Sequence, residues 1–274
     1  MEKLEKTVSI AMLQISSIVG DIEANMQKVL CFLDSQLPEN VDILVLPEVW
    51  TVGWACEKFI ESAQSFPESK VISFLADIAK KYSINVIGGS FITEKGGNYY
   101  NTCPVFDRNG NLICQYAKMH LYSYYGCDEG KYITKGDCLK LVEIEGVKYG
   151  LSICYDIRFP EVYREYAKSG ADVLVNCAAW GATKSIPWEM MTKSRAIENQ
   201  CYMIALTQSG KIKDSDYNLG HSRLIDFKGD EICAIFEGEG IITGTINLSL
   251  LYNFRRKAPI LNDIRENYEV ETYV

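Results

Sequence analysis

Two short runs of uninterrupted apolar residues, Ile43-Leu44-Val45-Leu46 and Val173-Leu174-Val175, constrain this chain's fold more than any other feature. A strand that is apolar at every residue, not at alternate ones, belongs in a sheet covered on both faces. Each run follows a segment with helical signals. Residues 22–37 place apolar side chains at Ile22, Met26, Val29, Leu30 and Leu33, behind a Gly20-Asp21 turn and cap and ahead of a Pro38-Glu39-Asn40 stop. Residues 160–168 read as a helix ended by Gly170.

The remaining punctuation fills in two halves of similar plan. A strand is expected over 8–15, an irregular stretch over 47–67, a helix over 69–82, and strands over 85–92, 99–107 and 112–118. Asp107-Arg108-Asn109-Gly110 is a hairpin turn signal, and a second hairpin over 139–144 and 147–153 turns at Glu145-Gly146. Residues 120–136 read as a loop, 187–199 as a helix with Pro187 in its first turn, and 202–207, 220–227, 231–236 and 241–247 as strands. The tail from 250 to 274 shows no clear period and is expected at a subunit interface. Strand–helix alternation gives an α/β protein, and the embedded hairpins argue against one purely parallel sheet. Two packed mixed sheets with helices outside fit this pattern, as a single domain over 1–274.

Composition excludes several functions. An apolar share of 47% and a charged share of 23% are those of a globular chain, and a net charge of −8 disfavours a nucleic-acid partner. No apolar run nears the roughly 20 residues of a membrane helix, and no secretion signal precedes residue 8, so a cytoplasmic protein is expected. The ten cysteines include no Cys-x-x-Cys pair, so reduced thiols are expected. With two distant histidines, His120 and His221, neither a metal site nor another cofactor is indicated. No Gly-x-Ser-x-Gly elbow supports a serine hydrolase.

Three apolar segments end abruptly in polar residues: 43–48 at Glu48, 112–118 at Lys118 and 150–156 at Cys154-Tyr155-Asp156. Strand carboxyl ends are where α/β sheets gather ligands, which makes Glu48 a candidate base, Cys154 a nucleophile and Lys118 a positive charge. Read singly, Glu48 is equally a loop or cap residue, Lys118 an edge charge, and Cys154 a packed thiol.

The wording of these segments resembles the nitrilase-like carbon–nitrogen hydrolase family at three places in order. Leu46-Pro47-Glu48 resembles its glutamate motif, Lys118-Met119-His120-Leu121 its lysine motif, and Cys154-Tyr155-Asp156-Ile157-Arg158-Phe159-Pro160-Glu161 its cysteine motif. Residues 195–200 and 220–222 agree, so the resemblance covers nearly all the chain. It implies a four-layer αββα sandwich and a Glu48-Lys118-Cys154 triad. Lys118 is expected to favour the Cys154 thiolate and, with the Tyr155 N–H, to hold an oxyanion. Glu129 matches a second glutamate that orients Lys118 or assists proton transfer; a plain loop carboxylate is the alternative. Trp180, Trp54, Tyr124 and Tyr125 are expected either to line an acyl pocket or to cover core edges. Asp156 and Arg158 are expected to pair within the motif, Glu161 to cap a helix, and Arg195 to pair with Glu198 one turn on.

Together with Pro47-Glu48-Val49-Trp50-Thr51-Val52-Gly53-Trp54, the cysteine motif resembles the omega-amidase branch. That implies a small 2-oxo acid monoamide as substrate, a thioester intermediate, ammonia as product, and a homodimer or larger assembly. The alternatives are an N-carbamoyl or aliphatic amidase of the same family, a nitrilase, a non-catalytic scaffold, and a redox cysteine protein, which lacks a resolving cysteine nearby in sequence.

Overall fold

In the computed structural model, which describes residues 6–124, 127–213 and 216–273, alternation along the first strand sorts the core into layers. β1 (Thr7–Gln14) turns Ile10 and Met12 toward one hydrophobic cluster and Ala11 and Leu13 toward another, and all four are buried. The first half continues with α1 (Ile22–Gln36), β2 (Ile43–Val45), α2 (Phe59–Ser62), β3 (Gln64–Ser65) and α3 (Lys70–Tyr82). It ends with β4 (Asn85–Ile87), β5 (Phe91–Lys95), β6 (Asn98–Phe106) and β7 (Leu112–Ala117). The second half runs β8 (Leu141–Ile144), β9 (Val147–Ile153), α4 (Pro160–Lys168), β10 (Val173–Ala178), α5 (Ser185–Asn199) and β11 (Tyr202–Thr207). It closes with β12 (Ser209–Lys213), β13 (Asp216–Leu219), β14 (Ser222–Ile225), β15 (Glu231–Ile235), β16 (Gly240–Asn247) and α6 (Leu248–Lys257).

One sheet has the order β16-β1-β2-β4-β6-β5-β3, with β7 paired to β6; the other has the order β15-β14-β11-β10-β9-β8. Both are mixed. β1, β2 and β4 run parallel, as do β9, β10 and β11; β16, β6, β14 and β8 flank them antiparallel, and β3 pairs in parallel with β5 at the edge of the first sheet. Ile10, Met12, Ile43 and Val45 of the first sheet share one cluster with Tyr149, Leu151 and Val175 of the second, so the sheets pack face to face. Leu13, Leu44 and Leu46 point the other way, onto Val29 and Leu33 of α1 and Val71, Leu75 and Ile78 of α3. Burying a side chain such as Leu75 contributes about 2 kcal/mol. Val162, Tyr163 and Tyr166 of α4 and Trp188 and Ala196 of α5 pack with the second sheet. These four layers are the αββα sandwich, and they explain why Ile43–Leu46 is apolar at every position.

Helix ends follow their capping residues. Asp21 accepts the Ala24 N–H at 3.0 Å to start α1, and Ser69 accepts the Ile72 N–H at 3.3 Å to start α3. α4 is capped by Phe159 without a side-chain bond, so Glu161 acts only as a first-turn acid.

Three elements differ from the sequence reading. The expected strand 85–92 is broken at Gly88-Gly89, where Gly89 has φ +63° and a Cβ would lie 2.1 Å from the Pro47 carbonyl oxygen. The break lets the Ser90 N–H reach that oxygen at 3.0 Å, which fixes the chain entering Glu48. Second, β12 and β13 form a hairpin of their own, with polar residues where no strand alternation is visible. Third, the tail begins with α6, whose Asn247 cap accepts the Leu250 N–H at 3.1 Å. Leu248 and Leu251 are buried and the Phe254 ring lies tilted against Phe227, centroids 4.8 Å apart, so α6 packs on its own chain. Residues beyond it are mostly exposed. Among the described residues, no helix is long and apolar enough to cross a membrane.

Candidate active site

β7 runs antiparallel to β6, which runs antiparallel to β4, so the ends of β2 and β7 lie at the same edge of the first sheet. The ends of β9 and β10 share an edge of the second. The two edges meet: Glu48 donates its N–H to the Ala178 carbonyl at 3.4 Å, and its Oε2 accepts the Ala179 N–H at 2.8 Å. Glu48, Lys118 and Cys154, each one residue or a few past a strand, are thereby brought together.

Lys118 is fully buried. Its Nζ donates to Glu48 Oε1 at 2.8 Å and lies 2.9 Å from Glu129 Oε2 and 3.0 Å from Oε1. Burial pushes its pKa down, but Glu129, Glu48 and Cys154 outweigh that and hold it well above the usual lysine range. Lys118 is therefore a permanent cation. Glu129 is also fully buried, and burial raises its carboxyl above the usual range despite Lys118. Its Oε2 accepts the Tyr122 N–H at 2.6 Å, and its own N–H donates to the Tyr122 carbonyl at 2.9 Å.

Cys154 opens a 3₁₀ turn (Cys154–Arg158) with φ +45°, a left-handed conformation that costs a non-glycine residue about 1–3 kcal/mol. Surrounding bonds hold it there. Asn176 Nδ2 donates to the Cys154 carbonyl at 3.4 Å, and the Arg195 guanidinium donates to the Ile157 carbonyl at 2.8 and 3.2 Å. Arg195 also pairs with Glu198 at 2.9 Å, the expected i,i+3 contact. The Cys154 thiol departs from expectation. Burial, followed by the Glu48 carboxylate, drives its pKa well above the usual thiol value, and Lys118 offsets only part of this. Burial and Glu48 thus favour the protonated form of Cys154, and Lys118 works against them.

Above the cluster opens a cavity of about 710 Å³, lined by Trp54, Tyr122, Cys154, Tyr155, Arg158, Trp180 and Lys184 among others. Tyr155 follows Cys154 in the 3₁₀ turn, where first-turn N–H groups have no intrahelical acceptor. Trp180 is fixed by its backbone N–H to Thr207 Oγ1 at 2.9 Å and its indole N–H to the Lys184 carbonyl at 2.8 Å. The Trp54 ring lies 5.3 Å from Lys118 Nζ. Tyr124 is exposed, with its ring 6.1 Å from that of Tyr155; Tyr125 lies outside the described residues.

Asp156 and Arg158 do not pair with each other. Asp156 binds Tyr116, His120 and Ile153, whereas the Arg158 guanidinium reaches the cavity wall, 5.3 Å from the Trp180 ring and 6.0 Å from that of Tyr155. Sequence reasoning also missed three supports of Glu48. Asn101 Nδ2 donates to Glu48 Oε1 at 3.0 Å, Ala179 supplies a backbone N–H, and Gln208 Nε2 donates to the Glu48 carbonyl at 2.7 Å. Asn101 shares a strand face with the core residues Cys103 and Val105, the one available signal; a backbone donor and a residue 160 positions away leave none. Among the described residues no group of three or more His, Cys, Asp or Glu side chains is arranged to hold a metal ion.

The comparisons agree with this architecture. The carbon–nitrogen hydrolase family profile matches residues 9–256. The 2-oxoglutaramate amidase of Bacillus subtilis (strain 168) is 34% identical over 259 residues, covering 94% of this chain and 98% of the relative. The omega-amidase NIT2 of Homo sapiens is 31% identical over 271 residues, covering 96% and 97%. The crystal structure of Saccharomyces cerevisiae Nit3, a member of branch 10 of the nitrilase superfamily, superposes with a TM-score of 0.86 at 27% identity, covering 94% of this chain and 97% of that one. Fold, strand-end motifs and similarity along nearly the whole chain lead to one conclusion: this protein belongs to the carbon–nitrogen hydrolase family, whose members break carbon–nitrogen bonds.

Proposed function

We propose that the protein is a cysteine-dependent omega-amidase that converts a small 2-oxo acid monoamide to the 2-oxo dicarboxylate and ammonia. The observation that carries this reading is the buried Lys118 cation clasped by Glu48 and Glu129 beside Cys154, at the floor of a cavity walled by Arg158. The amidase names of the two relatives above point to the same substrate class.

In this reading Glu48 takes the Cys154 proton as sulfur attacks the amide carbonyl. With burial and Glu48 favouring the protonated thiol, proton transfer and attack proceed together. Lys118 and the Tyr155 N–H hold the developing oxyanion, and Glu129 keeps Lys118 aimed at it. Collapse of the intermediate breaks the C–N bond; Glu48 returns its proton to the departing nitrogen, and ammonia leaves a thioester. Glu48 then deprotonates water, which attacks the thioester and releases the acid and the Cys154 thiol. Arg158, braced on the Trp180 and Tyr155 rings, is the candidate partner for the substrate's distal carboxylate.

Ammonia release from 2-oxoglutaramate, 2-oxosuccinamate, glutamine, an N-carbamoyl amine and a nitrile tests this, with Cys154→Ala as control. Turnover of the two oxo-amides, lost in the variant, is expected. Preference for the N-carbamoyl amine or the nitrile would replace the substrate class, and activity surviving in Cys154→Ala would remove the nucleophile.

We further assign the protein to the cytoplasm, consistent with its free thiols, and to a homodimer joined partly through the exposed Tyr268, Val270 and Tyr273. A chain ending at residue 264 that stayed dimeric by light scattering would remove the tail from the interface.

A further inference from the structure

Outside the catalytic cluster, the cavity wall carries two thiols from distant parts of the chain. Cys56 opens the 3₁₀ turn Cys56–Lys58, and Cys127 lies just ahead of Glu129. They are 71 positions apart in sequence, yet their sulfur atoms lie 2.6 Å apart, and both line the cavity. We propose that Cys56 and Cys127 form a modification site, a thiol pair that peroxide-class oxidants convert to a reversible disulfide, with loss of amide hydrolysis while the bond persists.

The geometry needs little change, because a disulfide spans about 2.05 Å and the sulfurs must close only about half an ångström. The two thiols are also unequal. Cys56 is buried, and its hydrogen bond to Cys127, together with burial, pushes its pKa up; that same bond holds the half-exposed Cys127 below its usual value. Cys127 is thus the attacking sulfur and Cys56 the resolving one. Cys154 differs in that it is enclosed and its thiol is pushed up. In the proposed step the Cys127 thiolate attacks hydrogen peroxide, forming an S–O bond as O–O breaks and hydroxide leaves. Cys56 then attacks that sulfur and the S–O bond breaks. Overall two thiols and one peroxide give one disulfide and two waters. A thiol reductant reverses it by exchange, as befits a transient bond in a reducing compartment.

The bond would join the two segments that hold Lys118. Trp54, two residues before Cys56, presents its ring 5.3 Å from Lys118 Nζ, and Glu129, two residues after Cys127, grips the same nitrogen. Drawing the sulfurs together pulls on both supports; a full ångström of misplacement at a catalytic group costs about a hundredfold in rate, so a shift of about half that is expected to cost about tenfold.

The activity half of this proposal rests on the amidase reading; the bond does not, so the two are read separately. Reduced protein is exposed to stoichiometric hydrogen peroxide, unfolded, alkylated, digested and weighed. The expected product is a Cys56 peptide joined to a Cys127 peptide, two hydrogens lighter than their sum, with Cys154 recovered alkylated. Oxo-amide hydrolysis by the same sample should fall about tenfold or more and return with dithiothreitol. Cys56→Ser and Cys127→Ser, each compared with its own reduced state, should lose this response. Oxidation at Cys154 ahead of the pair, or no joined peptide, overturns the site; a joined peptide with undiminished turnover overturns its effect on activity. If no amide is turned over at all, the joined peptide still decides the site while the amidase reading falls alone.

Discussion

Two fully buried carboxylates stand just past strand ends of the two packed sheets, Glu48 after β2 and Asp156 after β9, and they are used in opposite ways. Asp156 has every acceptor position filled. Its Oδ1 meets the His120 N–H at 3.0 Å and the His120 ring Nδ1 at 2.8 Å, and its Oδ2 accepts from Tyr116 at 2.6 Å and the Ile153 N–H at 2.9 Å. A carboxylate offers about four lone-pair positions, so nothing remains for a reacting proton. Glu48 takes Lys118 and Asn101 on Oε1 and only the Ala179 N–H on Oε2. One position is left on Oε2, and Glu48 lies near enough to Cys154 for its carboxylate to raise the thiol's pKa. Satisfaction of lone pairs, not burial or charge, separates the brace from the base. Asp156 ties the lysine segment to the cysteine turn; Glu48 is held just firmly enough to aim its free lone pair.

The largest expected effect follows from removing the reactive side of this contrast. Glu48→Gln should lower kcat by about ten-thousandfold or more, the scale seen when members of a catalytic unit are lost. Cys154→Ala should be equally inactive, with no further loss in the double variant, because residues acting as a unit are not additive. Single-turnover ammonia release from an oxo-amide measures both; a Glu48→Gln enzyme within tenfold of wild type would end the assignment of the base. Asp156→Asn should do the reverse. It confronts several donors with an amide that brings donors of its own, costing about 3 kcal/mol. Urea unfolding reads that loss, and a stable Asp156→Asn enzyme with abolished turnover would erase the distinction drawn here.

A smaller effect is expected at the second carboxylate on Lys118. Glu129→Gln keeps the shape and one acceptor but removes a charge, and should reduce kcat about a hundredfold while leaving KM within a few-fold. The sign of its pH dependence follows from burial. Because the Glu129 carboxyl lies above the usual range, it takes up its proton at a higher pH than an exposed glutamate would. The acid limb of kcat/KM in the wild type should therefore lie above about 4.3, the ordinary glutamate value, and should move in Glu129→Gln. Lys118, held above its usual range, should contribute no alkaline limb below about 10. An acid limb at or below the ordinary glutamate value, unchanged in Glu129→Gln, would count against Glu129 as the group that steadies Lys118.

Which parts of this were legible in the sequence follows from distance along the chain. Glu48, Lys118 and Cys154 each end a strand, and a strand's abrupt change from apolar to polar is local information. The layers were legible for the same reason, since Ile43–Leu46 must be covered on both faces. α6 was hidden because it is short and its core-facing Leu248, Leu251 and Phe254 are interleaved with the exposed Leu250 and Tyr252, which blurs the contrast between its faces. The β12–β13 hairpin was hidden because Ser209-Gly210-Lys211 carries almost no apolar alternation. Arg158 reads as a partner for its near neighbour Asp156 until the turn after Cys154 points the two apart. The Cys56–Cys127 contact is invisible to any rule that looks for a resolving thiol two residues away.

Asn101 offers the finest test of the contrast, because it is the donor that makes Glu48 most like Asp156. It is buried in β6, and its Nδ2 supports Glu48 Oε1 while its Oδ1 has no hydrogen-bond partner. Its own carbonyl accepts the Lys118 N–H at 2.9 Å, so side-chain truncation leaves the lysine strand pairing intact. In Asn101→Ala one donor leaves the Glu48 carboxylate, and Oε1 keeps only Lys118 as its partner. The value of kcat should then fall about tenfold, with KM within a few-fold, because Glu48 is less firmly aimed. Asn101→Asp should be worse than Asn101→Ala, since it sets a carboxylate against Glu48 Oε1 in place of a donor. A purely structural role would lower stability and leave kcat of the folded enzyme where it was, so urea unfolding and kcat read together decide whether Asn101 aims the base or only supports its strand.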